Sequence, residues 1–182
     1  MLDETHPLLT ARKFGPKRVK SQKAIEPSVV RKAAQPLYDL REVLLVEDDA
    51  HDAPRAKHLL AESIASEQLK VIGNGEDGLD YLFGTGNYEG RPPGRPQLIL
   101  LDLDLPHLSA TEFLRCVKEE QTTRDIPVIL LSPAQSDRGI MPGVRLGAAD
   151  YLIKPLDRDA LIGAAGRLGL RMLASAGLSR VL

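Results

Sequence analysis

Five side chains at the ends of apolar runs have the chemistry of a magnesium-dependent phosphoryl-transfer site. They are the acids Glu47, Asp48 and Asp102, the hydroxyl of Ser132 and the ammonium of Lys154. Magnesium prefers oxygen ligands, a carboxylate can act as a nucleophile, and a positioned lysine stabilises charge on a phosphoryl group in transit. The residue types therefore predict this chemistry if the fold brings the five side chains together.

Short apolar runs precede these side chains and are predicted to be buried strands. The runs cover residues 43–46, 98–101, 128–131 and 150–153. Apolar runs of this length without polar alternation are typical of a parallel sheet that helices cover on both faces. The interval between Asp48 and Asp102 has room for two strand–helix units, so a fifth strand is predicted at Leu69–Ile72.

Helical stretches are predicted between the strands and after the last one, at residues 54–66, 76–83, 111–120 and from 159 onward. A strand followed regularly by a helix favours a doubly wound α/β domain. Its right-handed crossovers place helices on both faces of the sheet. Ligands of such sheets bind beyond the carboxyl ends of the strands, and this is the edge where the five side chains would meet.

Four motifs in the same order resemble those of the receiver domain of bacterial two-component response regulators. They are LLVEDD at 44–49, LLDLDLP at 100–106, IPVILLS at 126–132 and GAADYLIKP at 147–155. The resemblance covers about residues 42–173 and implies a five-stranded parallel sheet of flavodoxin-like order 2-1-3-4-5. A finer resemblance, in the Pro- and Gly-rich segment 80–93, is to single-domain regulators associated with bacterial phytochromes.

The resemblance implies which residues accept the phosphoryl group and hold the metal. Asp102 would be the phospho-acceptor, and a sensor histidine kinase, on the finer resemblance a bacteriophytochrome, would supply the phosphoryl group. Mg2+ would be held by Asp48, by Asp102 and by the backbone carbonyl of Asp104, with Glu47 binding through a water. A protein of this kind is a signalling protein rather than an enzyme, although it catalyses its own phosphotransfer and dephosphorylation.

The resemblance also implies how the phosphoryl group is stabilised and read. Lys154 would pair with Asp102 and then with the phosphoryl oxygens, and the hydroxyl of Ser132 would turn to hydrogen-bond them. Tyr151 would move inward in response, so that Ser132 and Tyr151 form the switch. The peptide bond between Lys154 and Pro155 is expected to be cis, which X-Pro bonds permit at modest cost.

Three positions depart from the family pattern. Ala110 stands where a glycine is usual, so the loop before the third helix is expected to follow another path. Pro133 follows Ser132 directly and removes a backbone N–H from the site. The predicted fourth helix contains two glycines and a proline within residues 137–144 and is expected to be shortened, kinked or mobile.

The chain is expected to have three parts: a basic, flexible arm at 1–40, the receiver domain at 41–175, and a tail at 176–182 for which continuation of the last helix is left open. Lysine, arginine and scattered proline residues characterise the arm. Two interpretations of the arm stay open: it docks a kinase or a nucleic acid, or it is an N-terminal extension without function.

The last predicted helix carries more apolar residues than packing on the sheet requires. Leu161, Ala165, Leu168 and Met172 would form one stripe facing the sheet. The surplus predicts a homodimer surface on the face of the fourth and fifth helices. With no segment left for a DNA-binding or catalytic output domain, the protein is expected to act through a partner or as a phosphate relay.

Bulk composition argues against several functional classes. The 182 residues carry a net charge of −1, which makes nucleic acid an improbable partner for the chain as a whole. No apolar stretch approaches the length that spans a bilayer. The single cysteine, Cys116, suits a reducing compartment, and the N-terminus lacks a signal peptide, so a cytoplasmic protein is expected.

Two alternatives stay open on the sequence. Asp102 and Asp104 also resemble the paired aspartates of haloacid-dehalogenase-like phosphatases, but Pro106 stands where that family has Thr or Val. The second alternative is a receiver-like scaffold that binds a partner without being phosphorylated. Pro133 and the unusual fourth helix favour this alternative, whereas the acceptor, the acidic pair and the lysine argue against it.

Overall fold

The computed structural model describes residues 38–39, 42–90, 92–133 and 140–171. All of them belong to the compact unit that spans Lys32–Leu182. Seven strands are described: β1 (Tyr38–Asp39), β2 (Val43–Val46), β3 (Leu69–Ile72), β4 (Leu98–Asp102), β5 (Val128–Pro133), β6 (Asp150–Lys154) and β7 (Leu170–Arg171). Five α-helices are described: α1 (Asp52–Ala61), α2 (Gly75–Phe83), α3 (Ala110–Glu119), α4 (Ile140–Arg145) and α5 (Arg158–Arg167).

Five of the strands form a parallel sheet in the order β3-β2-β4-β5-β6. Numbered along the chain within this sheet, the order is 2-1-3-4-5, and the predicted fold class is confirmed. The registers pair Val46 with Leu101, Leu101 with Leu130, and Leu131 with Leu152. The carboxyl ends of β2, β4, β5 and β6 therefore lie at one edge of the sheet.

Apolar residues on the two faces of the sheet form two separate core clusters. One cluster packs the sheet against α1 and α5, which contribute Leu60 and Leu161. The other packs it against α2 and α3, which contribute Leu82 and Phe113. Strands β2 and β4 are buried along their whole length, which explains why their sequences show no polar alternation.

The last helix is shorter than the sequence predicted. It ends at Arg167, and Gly169 adopts a left-handed conformation with φ of 76°. A glycine in this conformation just beyond the last helical residue is a common way for a helix to stop. Leu168 is thus the C-cap rather than a residue inside the helix, but it still packs against the core cluster as the stripe predicted, while Met172 lies outside the described residues.

Beyond this stop the chain forms β7, which pairs in parallel with β1. Tyr38 is opposite Leu170 and Asp39 is opposite Arg171. Leu170 is buried in the cluster beneath α1 and α5. The prediction of a flexible arm through residue 40 thus differs from the structure at these two strand residues. The rest of the arm and the 176–182 tail lie outside the described residues.

The fourth helix is described over Ile140–Arg145 only, and since residues 134–139 lie outside the described residues, its expected shortening stays a prediction. Pro142 lies within these six residues and has no backbone N–H to donate. Gly143 is buried against β5, and a Cβ atom there would overlap the Cδ1 atom of Leu130. Glycine thus allows α4 to approach the sheet closely.

The long connection between α2 and β4 is anchored to α2 by aromatic contacts. The hydroxyl of Tyr81 donates a hydrogen bond to the carboxylate of Glu42. The backbone N–H of Gly94 donates to the carbonyl of Tyr81 at 2.8 Å. The Nζ atom of Lys70 lies over the rings of Tyr81 and Tyr88, 5.4 and 5.2 Å from their centroids.

Across the described ranges, no helix is both long and apolar enough to cross a membrane.

Candidate functional site

Three of the predicted site residues meet at the carboxyl edge of the sheet. Glu47 directly follows β2, Asp102 ends β4, and Lys154 ends β6. The Nζ atom of Lys154 lies 2.7 Å from Oε2 of Glu47 and 2.9 Å from Oδ2 of Asp102. Both acids are only 2% exposed, so the lysine is the cation that compensates two buried carboxylates.

A third acid reaches the same lysine, and the sequence predictions did not include it. Asp52 is the first residue of α1, and its Oδ2 atom lies 3.2 Å from Nζ of Lys154. An acid in the first turn of a helix is ordinarily interpreted as a favourable partner of the helix dipole. The only sequence signal was its position one short loop after the acidic pair at 47–48.

The acidic residues of the edge have the donor set that a hard divalent cation requires. Glu47, Asp48 and Asp102 each offer a carboxylate oxygen within 4.8 Å of the others. Asp48 is exposed, and the other two are buried. In addition, Oδ1 of Asp102 is buried without a hydrogen-bond partner among the described residues. Oxygen-only ligands and an unpartnered buried oxygen fit a cation such as Mg2+.

Two further acids follow these strands and have different surroundings. Asp49 accepts hydrogen bonds from the backbone N–H groups of Asp52 at 2.9 Å and His51 at 2.7 Å. These bonds lower the pKa of Asp49 and tie its side chain to the start of α1. Asp104 is exposed in the loop after β4, and its role as a carbonyl ligand stays a prediction.

The two residues of the predicted switch lie on β5 and β6. Ser132 is fully buried near the end of β5, and its hydroxyl donates a hydrogen bond to the carbonyl of Pro133 at 3.2 Å. Tyr151 is on β6, opposite Leu130, with 46% of its surface exposed. The hydroxyl is thus at the acidic edge, whereas the aromatic ring lies at the surface of the sheet's edge strand.

Burial and the shared lysine set the charges of the site. Burial raises the pKa of Glu47 to about 7, and the nearby charge of Asp102 adds to this effect, while Lys154 opposes it. Burial alone would lower the pKa of Lys154, but its hydrogen bonds to Glu47 and Asp102 outweigh burial and raise that pKa. Lys154 is therefore positively charged at neutral pH.

The loops beside the site contain two backbone features. The peptide bond between Lys154 and Pro155 is cis. His107 has a φ of 64°, and the N–H of Leu108 donates to the carbonyl of Pro106 across it at 2.7 Å. The departure expected at Ala110 thus occurs three residues earlier. Ala110 itself is the ordinary first residue of α3, where no glycine is needed.

A model of the response regulator receiver domain matches residues 43–165. The chain belongs to the response-regulator receiver family. The prediction of a response regulator is therefore confirmed, and the haloacid-dehalogenase-like alternative is set aside.

Individual relatives agree with this family membership. Response regulator Rcp1 of Synechocystis sp. is 32% identical over 112 residues, which are 62% of this chain and 75% of Rcp1. The chain spans 52% or less of several transcriptional regulators that it also matches. The matched segment thus covers three quarters of Rcp1 but about half or less of these longer regulators.

Solved structures of phytochrome response regulators resemble this receiver. The bacteriophytochrome response regulator AtBRR is 34% identical with a TM-score of 0.64, covering 71% of this chain and 93% of AtBRR. The phosphorylated cyanobacterial regulator RcpA is 30% identical with a TM-score of 0.58, over 66% and 85% of the chains. The Mn2+-bound form of Rcp1 is 29% identical with a TM-score of 0.58, over 78% and 97%. The predicted resemblance to phytochrome-associated regulators is confirmed.

Proposed function

We propose that this receiver accepts a phosphoryl group on Asp102 from a sensor histidine kinase. The observation that carries the proposal is the environment of Asp102: a buried carboxylate at the end of β4, paired through Oδ2 with a protonated lysine and unpartnered at Oδ1. A carboxylate oxygen would attack phosphorus and displace the phosphohistidine nitrogen of the kinase, forming an acyl phosphate on Asp102. Intact-protein mass of the wild type and Asp102→Asn tests this directly.

The acidic edge would hold Mg2+ through Asp48, Asp102 and the backbone carbonyl of Asp104, with Glu47 binding through a water. The close approach of the three carboxylates supports this ligand set. When bound, the cation supplies positive charge that offsets the negative charge on the phosphoryl group. The Mn2+-bound structure of the similar protein Rcp1 also favours a divalent cation.

Lys154 and Ser132 would stabilise the product. Because Lys154 is charged and already lies 2.9 Å from Asp102, one of its N–H groups can turn to a phosphoryl oxygen with little movement. The buried hydroxyl of Ser132 would donate to another. Tyr151 would then turn inward from its exposed position, which changes the surface formed by α4, β6 and α5. New charge thereby biases a two-state element.

That surface supports a proposal for the output. Its large apolar side chains are exposed on α4 and β6: Met141, Val144, Tyr151 and Ile153. We propose that it forms a homodimer interface. The similarity to AtBRR and RcpA supports a phytochrome-type kinase as the phosphoryl donor. We also propose that the protein works in a reducing cytoplasm. We further propose that its receiver domain spans residues 41–175.

A further inference from the structure

Lys154 is held by three carboxylates that come from three different elements. Glu47 after β2 is 2.7 Å away, Asp102 of β4 is 2.9 Å away, and Asp52 of α1 is 3.2 Å away. An ammonium group has three N–H donors. Each donor can therefore serve one carboxylate, and the nitrogen is fixed from three directions.

Asp52 is itself firmly positioned. Its backbone N–H donates to Oδ1 of Asp49 at 2.9 Å, which ties the start of α1 to the loop after β2. One and two turns further, Ala56 and Leu60 bury α1 against the sheet. The carboxylate of Asp52 is 33% exposed and thus lies at the mouth of the site, on the side of Lys154 that α1 covers.

This inference rests on the proposed function. In the proposed phosphoryl transfer, the three carboxylates that contact Lys154 have different roles. Asp102 becomes the acyl phosphate and loses its carboxylate charge. Glu47 must also bind the metal through a water in the proposed site. Asp52 has neither role, so it is the partner whose interaction with Lys154 does not need to change. We infer that Asp52 is a positioning residue that keeps the ammonium of Lys154 at the acceptor before and after phosphoryl transfer.

The space around Lys154 explains why such a residue is needed. A cavity of about 50 Å3 borders Lys154 and is lined by Glu47, Asp52, Arg55 and Pro155 among others. This volume accepts a water, and a lysine stem has four rotatable bonds that let the ammonium move. Because Asp52 also lines this cavity, its carboxylate holds the ammonium donor that would otherwise face a water there. Without the Asp52 carboxylate, the ammonium is held from two directions instead of three and is freer to move away from Asp102.

Because Asp52 also lies in the first turn of α1, its substitution removes a helix-dipole interaction as well as the ion pair, and a control variant must separate the two effects. Asp159 occupies the first turn of α5, and within the described residues no lysine forms an ion pair with it. Both acids interact favourably with the dipole at a helix N-terminus. Asp159→Asn therefore reproduces the loss of the helix interaction without disturbing Lys154.

The first measurement is the NMR signal of the Lys154 ammonium in the metal-free, unphosphorylated protein, assigned with Lys154→Arg. In the wild type and in Asp159→Asn, we expect a resolved signal whose protons exchange slowly. Asp52→Ala should lose this signal through exchange with water, and Asp52→Asn, which retains an acceptor oxygen, should keep part of the protection. A signal unchanged in Asp52→Ala overturns the inference.

The second measurement is the rate of phosphorylation by acetyl phosphate at saturating Mg2+. Asp52→Ala should be slower than the wild type by about tenfold, the size expected when a charged group loses one hydrogen-bond partner. Asp52→Asn should lie between them, and Mg2+ affinity should change by less than about twofold because Asp52 is not among the proposed ligands. A wild-type rate in Asp52→Ala overturns the inference and leaves the proposed function intact. If the wild type takes up no phosphoryl group, the proposed function fails, and the ammonium signal alone decides the position of Lys154.

Discussion

Lys154 and Asp102 form an ion pair of 2.9 Å across the end of β5, a strand that contains neither residue. Asp102 ends β4, Lys154 ends β6, and β5 lies between these strands in the sheet. The lysine side chain therefore extends past the end of β5, where Ser132 is buried. A single cation in this position contacts both the predicted acceptor and the acidic residue that follows β2, so its removal affects the whole site.

Lys154→Met should destabilise the metal-free protein. The substitution keeps an apolar stem but leaves Glu47 and Asp102 buried without their shared cation, at a cost of about 3 kcal/mol in the free energy of unfolding. Urea denaturation at pH 7.5 measures this change, with Lys57→Met on the exposed side of α1 as the control. Adding Mg2+ should restore part of the loss. Equal stability of the two variants would contradict the account.

The stability of the metal-free protein should depend on the titration of Glu47. Its pKa is raised from 4.5 to about 7 in the folded state, so the folded state binds this proton more tightly than the unfolded state. The resulting stabilisation is present below pH 4.5 and is lost as the pH rises through 7. Between pH 5 and pH 8, the wild type should lose about 2 kcal/mol more than Glu47→Gln does. Parallel pH profiles for the two proteins would show that the proposed titration is wrong.

The strained turn after β4 gives a prediction with opposite signs at two positions. His107 has a left-handed φ of 64°, which costs a non-glycine residue about 1 kcal/mol. Ala110 begins α3, where glycine is less favourable than alanine by up to about 1 kcal/mol. Thermal or urea unfolding should find His107→Gly more stable than the wild type and Ala110→Gly less stable. Destabilisation by His107→Gly would show that another interaction holds the turn.

The strands and the central residues of the site could be predicted from the sequence. The strands were predictable because residues buried on both faces leave uninterrupted apolar runs, as in β2 and β4. The meeting of Glu47, Asp102 and Lys154 followed from topology, since the carboxyl ends of parallel strands share one edge. None of this required knowing the conformation of a loop.

The missed features depend on local geometry that a residue pattern does not encode. The contact of Asp52 with Lys154 requires the direction in which α1 leaves the sheet. The early end of α5 depends on the conformation of Gly169, since glycine also occurs inside this helix at Gly163 and Gly166. Likewise, the left-handed residue before α3 is His107, and a non-glycine residue adopts such a φ too rarely for the sequence to indicate it.

Tyr151→Ala should separate output from phosphorylation. The ring is 46% exposed on the edge strand, so its removal should change the phosphorylation rate by less than about twofold. Sedimentation of the phosphorylated wild type should show more dimer than that of Tyr151→Ala, because the ring belongs to the proposed interface. Undiminished dimerisation of the variant would remove Tyr151 from the output surface, and a large loss of phosphorylation would place it in the acceptor site instead.

The most direct test of the central claim is the intact mass of the protein after incubation with Mg2+ and acetyl phosphate. The account predicts the addition of one phosphoryl group to the wild type. It predicts none in Asp102→Asn, which keeps the shape of the side chain but lacks the nucleophilic carboxylate, and none when EDTA removes the metal. A phosphoryl group that still attaches to Asp102→Asn would contradict the assignment of Asp102 as the acceptor. A wild type that gains no mass and does not bind beryllofluoride would contradict phosphorylation of this receiver altogether.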